Sequence, residues 1–92
     1  MILENWTLKD NCDSVQFYFY LKENDNVIME ICVPDSVNNF RWLCRICVDN
    51  KNFDRWANST DYEFMFDTYA DMMQVVDDNY HIFIVNKKEV YD

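Results

Sequence analysis

The first half of the chain alternates between apolar and polar residues, a pattern typical of β-strands that bury one face. Over residues 15–21 every odd-numbered position is apolar, and after a short polar turn an apolar segment follows at 27–33. Two strand-like segments joined by a short turn predict a β-hairpin. Residues 2–8 form a further strand candidate in which the alternation is weaker.

Residues 40–48 alternate as well, but here two structures compete. Every even-numbered position is apolar, and Arg41 and Arg45 fall on the opposite side, which favours a strand because strand side chains point alternately to the two faces of a sheet. A helix that begins after Asp35 or Ser36 is the alternative, since both residue types cap helices well. The strict alternation makes the strand our prediction, and the helix stays open.

The second half of the chain changes to a helical spacing. Apolar residues recur three or four positions apart between Thr60 and about Val76, which predicts an amphipathic helix. Asn58 and Ser59 are its candidate N-terminal caps. The polar residues 77–79 end it.

Together these segments define one α+β domain. Residues 80–85 are largely apolar and predict a last strand after the helix. We therefore expect an antiparallel sheet of four or five strands with one main amphipathic helix, about 60–76, packed on it. A chain of 92 residues suffices for one such domain and is too short for two, so residues 1–92 are expected to form a single domain.

Glycine is absent from the chain and proline occurs once, which removes several functional motifs. Phosphate-binding loops, dinucleotide-binding fingerprints and EF-hand loops all depend on glycine. The tight turns must instead use asparagine and aspartate, which tolerate positive φ best among the other residues. No arrangement of nucleophile, base and oxyanion hole is recognisable either, so the sequence predicts a binding protein and not an enzyme.

The chain is strongly acidic, with 17 Asp and Glu against 8 Lys and Arg and a formal net charge of −9. Such a charge disfavours direct binding to nucleic acid or to an anionic membrane and favours a basic protein partner. No apolar segment approaches the ~20 residues that cross a bilayer, and residues 1–5 lack the features of a signal peptide. We therefore expect the protein in a cytoplasm, either of its own cell or of a host.

Part of this charge lies at helical spacing, opposite the apolar side of the predicted helix. Four carboxylates fall within roughly 80° of one another on a helical wheel: Glu63, Asp67, Asp71 and Asp78. This acidic ridge spans about 22 Å, over which a DNA strand presents about six phosphates. Residues 56–86 contain no Lys or Arg, so the acids lack the i,i+4 cations that usually stabilise an exposed helix. The ridge predicts a surface that imitates a phosphate backbone; an ordinary solvated helix face is the alternative.

Neighbouring residues extend the predicted partner-binding surface. Asp77 adds a carboxylate at the end of the helix, and Phe64 and Phe66 flank its apolar face, where exposed aromatic rings would anchor a protein partner. The complete predicted set is Glu63, Phe64, Phe66, Asp67, Asp71, Asp77 and Asp78.

The four cysteines and the single histidine raise the question of a metal or thiol site. Cys44 and Cys47 have C-x2-C spacing. The further candidate zinc ligands are Cys12, Cys32 and His81. In a strand, however, residues three apart point to opposite faces, and no glycine turn holds the pair together. We therefore predict buried, reduced thiols, with no metal and no cofactor.

A small, acidic, glycine-free and aromatic-rich domain with an unpaired acidic helix resembles a class of viral inhibitors of host defence, the small anti-CRISPR and anti-restriction proteins that mimic DNA. That class has no common fold, and the resemblance rests on size, charge and the acidic ridge. It implies a non-catalytic inhibitor in the host cytoplasm. Its carboxylates would occupy the basic groove of a nucleic-acid-binding nuclease or another defence complex.

Two other classes stay open. A general protein-interaction module, such as an immunity protein or a regulatory subunit, would bind through aromatic residues with charge as a secondary aid. A small zinc or thiol-redox protein would use Cys44 and Cys47. The sequence is compatible with a monomer and with a homodimer.

Overall fold

A computed structural model describes residues 3–12, 15–48 and 61–84. Its five strands form one antiparallel sheet in which they lie in the order of the chain. The strands are β1 (Trp6–Cys12), β2 (Gln16–Leu21), β3 (Asn24–Cys32), β4 (Trp42–Cys47) and β5 (Tyr62–Phe66). A single 3-10 turn (Ser36–Asn38) lies between β3 and β4, and the helices α1 (Tyr69–Asp78) and α2 (Tyr80–Ile84) follow β5. The α+β class and the antiparallel sheet with one main helix are confirmed.

The hairpin predicted over residues 15–33 is confirmed as β2 and β3, whose register pairs Phe17 with Ile31 and Phe19 with Met29. The strand preferred over residues 40–48 is confirmed as β4, so the alternative helix is wrong. The first strand is also present, but it begins at Trp6 and continues to Cys12.

The predicted helix at 60–76 is wrong in its first part. Tyr62–Phe66 is β5, which pairs antiparallel with β4, and α1 begins at Tyr69 after Thr68 as its N-cap. Three aromatic residues at alternate positions suit a half-buried strand as well as a helix, and the unpaired edge of β4 offers backbone partners to the strand. The candidate caps Asn58 and Ser59 lie outside the described residues.

The predicted last strand at 80–85 is also wrong, since Tyr80–Ile84 is the short helix α2. A short apolar segment is compatible with a strand and with a helix, and its packing against the rest of the protein determines which of the two forms. The helical form buries Phe83 completely, edge-on against the rings of Trp6 and Tyr62. Residue 85 lies outside the described residues.

The hydrophobic core lies between the helices and one face of the sheet. Its buried members are Trp6, Phe19, Leu21, Val27, Met29, Ile31, Cys44, Ile46, Val48, Met72, Val76 and Phe83. The face of the sheet turned away from α1 and α2, here called the second face, carries the intervening side chains of β2 to β5. Neither helix of the described residues has the length and apolar character of a membrane-spanning segment.

Candidate functional site

The carboxylates of the predicted acidic ridge do not share one helix. Glu63 lies on β5, Asp67 lies between β5 and α1, and the remaining two, Asp71 and Asp78, lie on α1 together with Asp77. The neighbours of Glu63 on β5, Tyr62 and Phe64, pack toward the core, so Glu63 points to the second face by strand alternation. The continuous ridge of about 22 Å is therefore wrong, because it required a helix through residues 62–66.

Two of the predicted acids have cationic partners. Arg45 Nε donates to Glu63 Oε2 at 3.0 Å, and Arg41 Nε donates to Asp67 Oδ1 at 3.1 Å. Helical spacing missed both pairs because the arginines come from β4 and from the turn before it. Tertiary pairing of β4 with β5 brings them to the acids.

The three carboxylates of α1 stay exposed on the helix. None of Asp71, Asp77 and Asp78 forms an ion pair within the described ranges, although Asp78 Oδ1 accepts a hydrogen bond from Gln74 Nε2 at 2.8 Å. From Asp71 to Asp78 the helix rises about 10 Å, so the acidic surface is about half as long as the sequence predicted.

Phe64 and Phe66 are half-buried and pack against the core. The ring of Phe64 stacks on Tyr62 with centroids 6.4 Å apart. Part of each ring stays accessible, but most of its contact is internal. Neither residue is among the most exposed apolar side chains of the described structure, which are Leu8, Val37 and Phe40.

The second face contains a buried carboxylate. Glu30 is 2% exposed, and its Oε2 accepts hydrogen bonds from Tyr18 OH at 3.0 Å and from Gln16 Nε2 at 3.1 Å. Arg45 Nη1 lies 3.6 Å from Glu30 Oε1, which accepts no hydrogen bond. Arg45 thus faces two carboxylates, Glu30 and Glu63, and this group carries one net negative charge.

A rigid turn, residues 35–41, connects β3 to β4 beside this face. Asp35 caps the 3-10 turn: its Oδ1 accepts from the backbone N–H of Val37 at 3.1 Å, and its own N–H donates to Asn38 Oδ1 at 2.8 Å. This is a capping box with Asp and Asn in the places of the usual residues. The N–H of Val37 and the Ser36 hydroxyl hold the pKa of Asp35 below its usual range, so Asp35 is ionised at neutral pH.

Further hydrogen bonds fix the rest of the turn. Asn38 is buried, and its Nδ2 donates to the carbonyl of Val33 at 3.1 Å. The N–H of Phe40 donates to the carbonyl of Asp35 at 2.7 Å. Arg41 Nη2 donates to the carbonyl of Met65 at 3.2 Å and ties the end of the turn to β5.

The turn holds two apolar side chains in solvent. Val37 is 93% exposed and Phe40 is 71% exposed. Phe40 also has φ of 56°, next to Asn39 with φ of 58°; a positive φ is common for asparagine and unusual for a bulky aromatic residue. The predicted elements do not include this turn, although Asp35 was a candidate helix cap and the Asp35-x-x-Asn38 spacing was a usable signal for it.

A cavity of about 380 Å³ lies between the turn and the second face. The turn contributes Asp35, Val37, Asn38 and Asn39, and the sheet contributes polar side chains that belong to the Glu30 group or contact it. Those sheet residues are Gln16, Cys32, Arg45 and Glu63. The remaining walls are mostly apolar: Val15, Val33, Leu43 and Met65.

The cysteines do not assemble into a site in the described structure. Cys32 and Cys44 are free thiols, and Cys44 and Cys47 are fully buried three positions apart on β4. Burial, and next the negative charge of Glu30, raise the pKa of Cys32 to about 11, and burial raises the pKa of Cys44 further. Among the described residues no three His, Cys, Asp or Glu side chains are placed to hold a metal ion.

Comparison of the chain with protein-family models, with curated proteins and with solved structures finds no match.

Proposed function

We propose that the chain is a non-catalytic protein-interaction module that binds a protein partner through the turn at residues 35–41. The observation that carries this proposal is the exposure of Val37 and Phe40 on a turn whose backbone is fixed by hydrogen bonds. Apolar side chains in solvent cost free energy unless a partner covers them, and a rigid turn loses little entropy on binding.

The backbone of Phe40 supports the same reading. Holding a phenylalanine at positive φ costs on the order of 1–2 kcal/mol, and such strain concentrates at binding and switching sites. Here the strained conformation leaves the ring in solvent and contributes nothing to the core. Central aromatic anchors of this kind supply much of the binding energy at protein interfaces.

The net charge of the chain indicates the charge of the proposed partner. A chain of formal charge −9 attracts basic proteins over several ångströms and repels acidic ones. The free thiols of Cys32 and Cys44 suit a reducing compartment. The proposed partner is therefore a basic cytoplasmic protein.

A pull-down from cell extract tests the turn. We expect wild-type protein to capture a partner that the double variant Val37→Ser/Phe40→Ser loses. Leu8→Ser is the matched control, because Leu8 is an exposed apolar residue on β1, away from the turn. Capture that is equal for the double variant and for Leu8→Ser contradicts the proposal, and sedimentation of the purified chain reveals whether the partner is a second copy.

A second candidate function is the nucleic-acid mimicry implied by the resemblance to viral inhibitors of host defence. It is favoured by the three exposed carboxylates of α1, which have no ion-pair partner in the described ranges. In that case Asp71→Asn/Asp77→Asn/Asp78→Asn abolishes capture of a nuclease or another nucleic-acid-binding protein, and Val37→Ser/Phe40→Ser leaves it intact. DNA would then displace the captured protein from wild-type chain, whereas displacement by DNA is not expected for a partner held by the turn.

A further inference from the structure

The cavity between the turn and the second face has an excess of negative charge. Arg45 is shared between Glu30 at 3.6 Å and Glu63 at 3.0 Å, so one carboxylate charge is left over. Asp35 adds a second, because its carboxylate accepts hydrogen bonds from Ser36 and Val37 and contacts no cation in the described structure. The cavity and its immediate surroundings therefore carry two uncompensated negative charges.

Glu30, one of the carboxylates that share Arg45, is buried and incompletely hydrogen-bonded and does not itself line the cavity. Glu30 is 2% exposed, and its Oε1 accepts no hydrogen bond. Two of its contacts, Gln16 and Arg45, line the cavity. A cation in the cavity would be separated from this carboxylate by those two side chains and would still stabilise it, since the effective dielectric constant near a buried group is lower than in water.

The shape and lining of the cavity restrict which cation fits. Its volume of about 380 Å³ is at the lower end of the range for ligand pockets, ~300–1,000 Å³. The apolar walls formed by Val33, Leu43 and Met65 suit a methylene chain, and the carboxylates of Asp35 and Glu63 suit a charged end group. Lysine and arginine side chains combine a methylene stem with a cationic end group in this way.

We infer that the cavity receives a lysine or arginine side chain of the protein partner, beside the contact made by Val37 and Phe40. The inference rests on the proposed function. Val37 lines the cavity and is also exposed on the turn, so one partner surface covers both. A neutral apolar side chain would leave the two charges uncompensated, and an acidic one would add to them.

Titration of isotopically labelled protein with amino-acid derivatives tests the cavity without the partner. The probes are Nα-acetylarginine amide, Nα-acetyllysine amide with its side-chain amine free, and the neutral Nα-acetylnorleucine amide. Binding is measured from the backbone amide chemical shifts of the protein. We expect both cationic probes to cause saturable shift changes at lining residues such as Gln16, Cys32 and Leu43, with dissociation constants in the millimolar range. The norleucine probe should cause none. Equal binding of norleucine, or no saturable shift with either cation, would overturn the inference.

Charge-neutral variants separate this site from general attraction to an acidic chain. Asp35→Asn keeps a good capping residue, and Glu63→Gln keeps a hydrogen-bond acceptor for Arg45. Each is expected to raise the dissociation constants of the cationic probes about fivefold. Asp71→Asn removes the same charge from α1 and should leave these dissociation constants unchanged. An equal loss with Asp71→Asn would mean attraction to the whole chain and would also overturn the inference.

The outcome is distinguishable from failure of the proposed function. If the cationic probes do not bind but Val37→Ser/Phe40→Ser still abolishes capture of the partner, the cavity inference fails and the proposed function stands. If the probes bind but the double variant captures the partner normally, the cation site stands and the turn is not the interface. The probe comparison on wild-type protein holds even if a variant fails to fold.

Discussion

At the scale of single residues, Glu30 depends most on its neighbours. A carboxylate that is 2% exposed is strongly destabilising unless hydrogen bonds and a cation replace its water. Tyr18 and Gln16 supply the hydrogen bonds, and Arg45 supplies the cation. The sequence could not predict this group, because its members come from three different strands.

Arg45→Met is expected to lower the free energy of unfolding by about 2 kcal/mol. The variant removes the guanidinium group that contacts Glu30 in the described structure. A buried charge left without its partner costs a few kcal/mol, and the partial exposure of Arg45 reduces this cost. Glu63→Gln is the matched control, with an expected loss under about 1 kcal/mol, because the ion pair between Glu63 and Arg45 is partly exposed. Urea denaturation followed by circular dichroism measures both, and equal losses would show that Arg45 acts through Glu63 alone.

Cys32 gives the protein a specific dependence on alkaline pH. Burial and the charge of Glu30 raise the pKa of the folded thiol from 9.0 to about 11. Between these values the folded state holds a proton that the unfolded state releases, so the free energy of unfolding falls as pH rises through this interval. Cys44 shifts in the same direction, and Cys32→Ala should therefore reduce the slope without removing it. Denaturation midpoints across this pH range measure the slope, and identical slopes for both proteins would show that Cys32 does not contribute.

At the scale of elements, the local sequence pattern and the tertiary pairing favour different structures at β5. Residues 62–66 fit a strand and a helix equally well, and pairing with β4 selects the strand. That pairing depends on contacts distant in sequence, such as Arg45 with Glu63, which no local pattern reveals. The hairpin of β2 and β3 was predictable because its alternation and its turn are both local.

The start of α1 carried a local signal. Thr68 Oγ1 accepts from the backbone N–H of Asp71 at 3.2 Å, which is the hydrogen bond of an N-cap. Thr68→Ala is therefore expected to lower the free energy of unfolding by about 1 kcal/mol, with Thr68→Ser close to wild type. Thermal denaturation compares the three proteins, and a loss of the same size for serine would assign the effect to the lost methyl group.

At the strained turn before β4, we expect substitutions that increase the stability of the fold to weaken binding of the proposed partner. Phe40→Gly relieves the positive φ at this position and is expected to raise the free energy of unfolding by about 0.5–1 kcal/mol. It also removes the exposed ring, so capture of the partner should fall. Phe40→Ala is the control, since it removes the ring and keeps the Cβ atom. Greater stability of the glycine variant over the alanine variant isolates the backbone strain, and equal stability would show that none is present.

At the scale of the whole molecule, excess negative charge lies on both sides of the sheet, but its arrangement differs. Arg41 and Arg45 pair with acids of β5 and of the segment after it. On the helical side, Asp71, Asp77 and Asp78 have no cationic partner among the described residues. Composition revealed the total charge, but this distribution required the fold. In the proposed complex, long-range attraction of the partner would therefore come from the entire chain, while the proposed apolar anchors lie on one turn.

This separation predicts that charge and anchors act on different rate constants of binding. Raising the ionic strength screens exposed charges separated by more than about 10 Å, so it should lower the association rate for the captured partner and change the dissociation rate little. Phe40→Ser should do the opposite, because the loss of a buried anchor speeds dissociation. Surface plasmon resonance at several salt concentrations measures both rates.

Asp71→Asn/Asp77→Asn/Asp78→Asn is the matched charge variant, and we expect it to slow association alone. If this triple variant instead raises the dissociation rate more than Phe40→Ser does, the carboxylates of α1 contact the partner directly, and the interface lies on the helix and not on the turn.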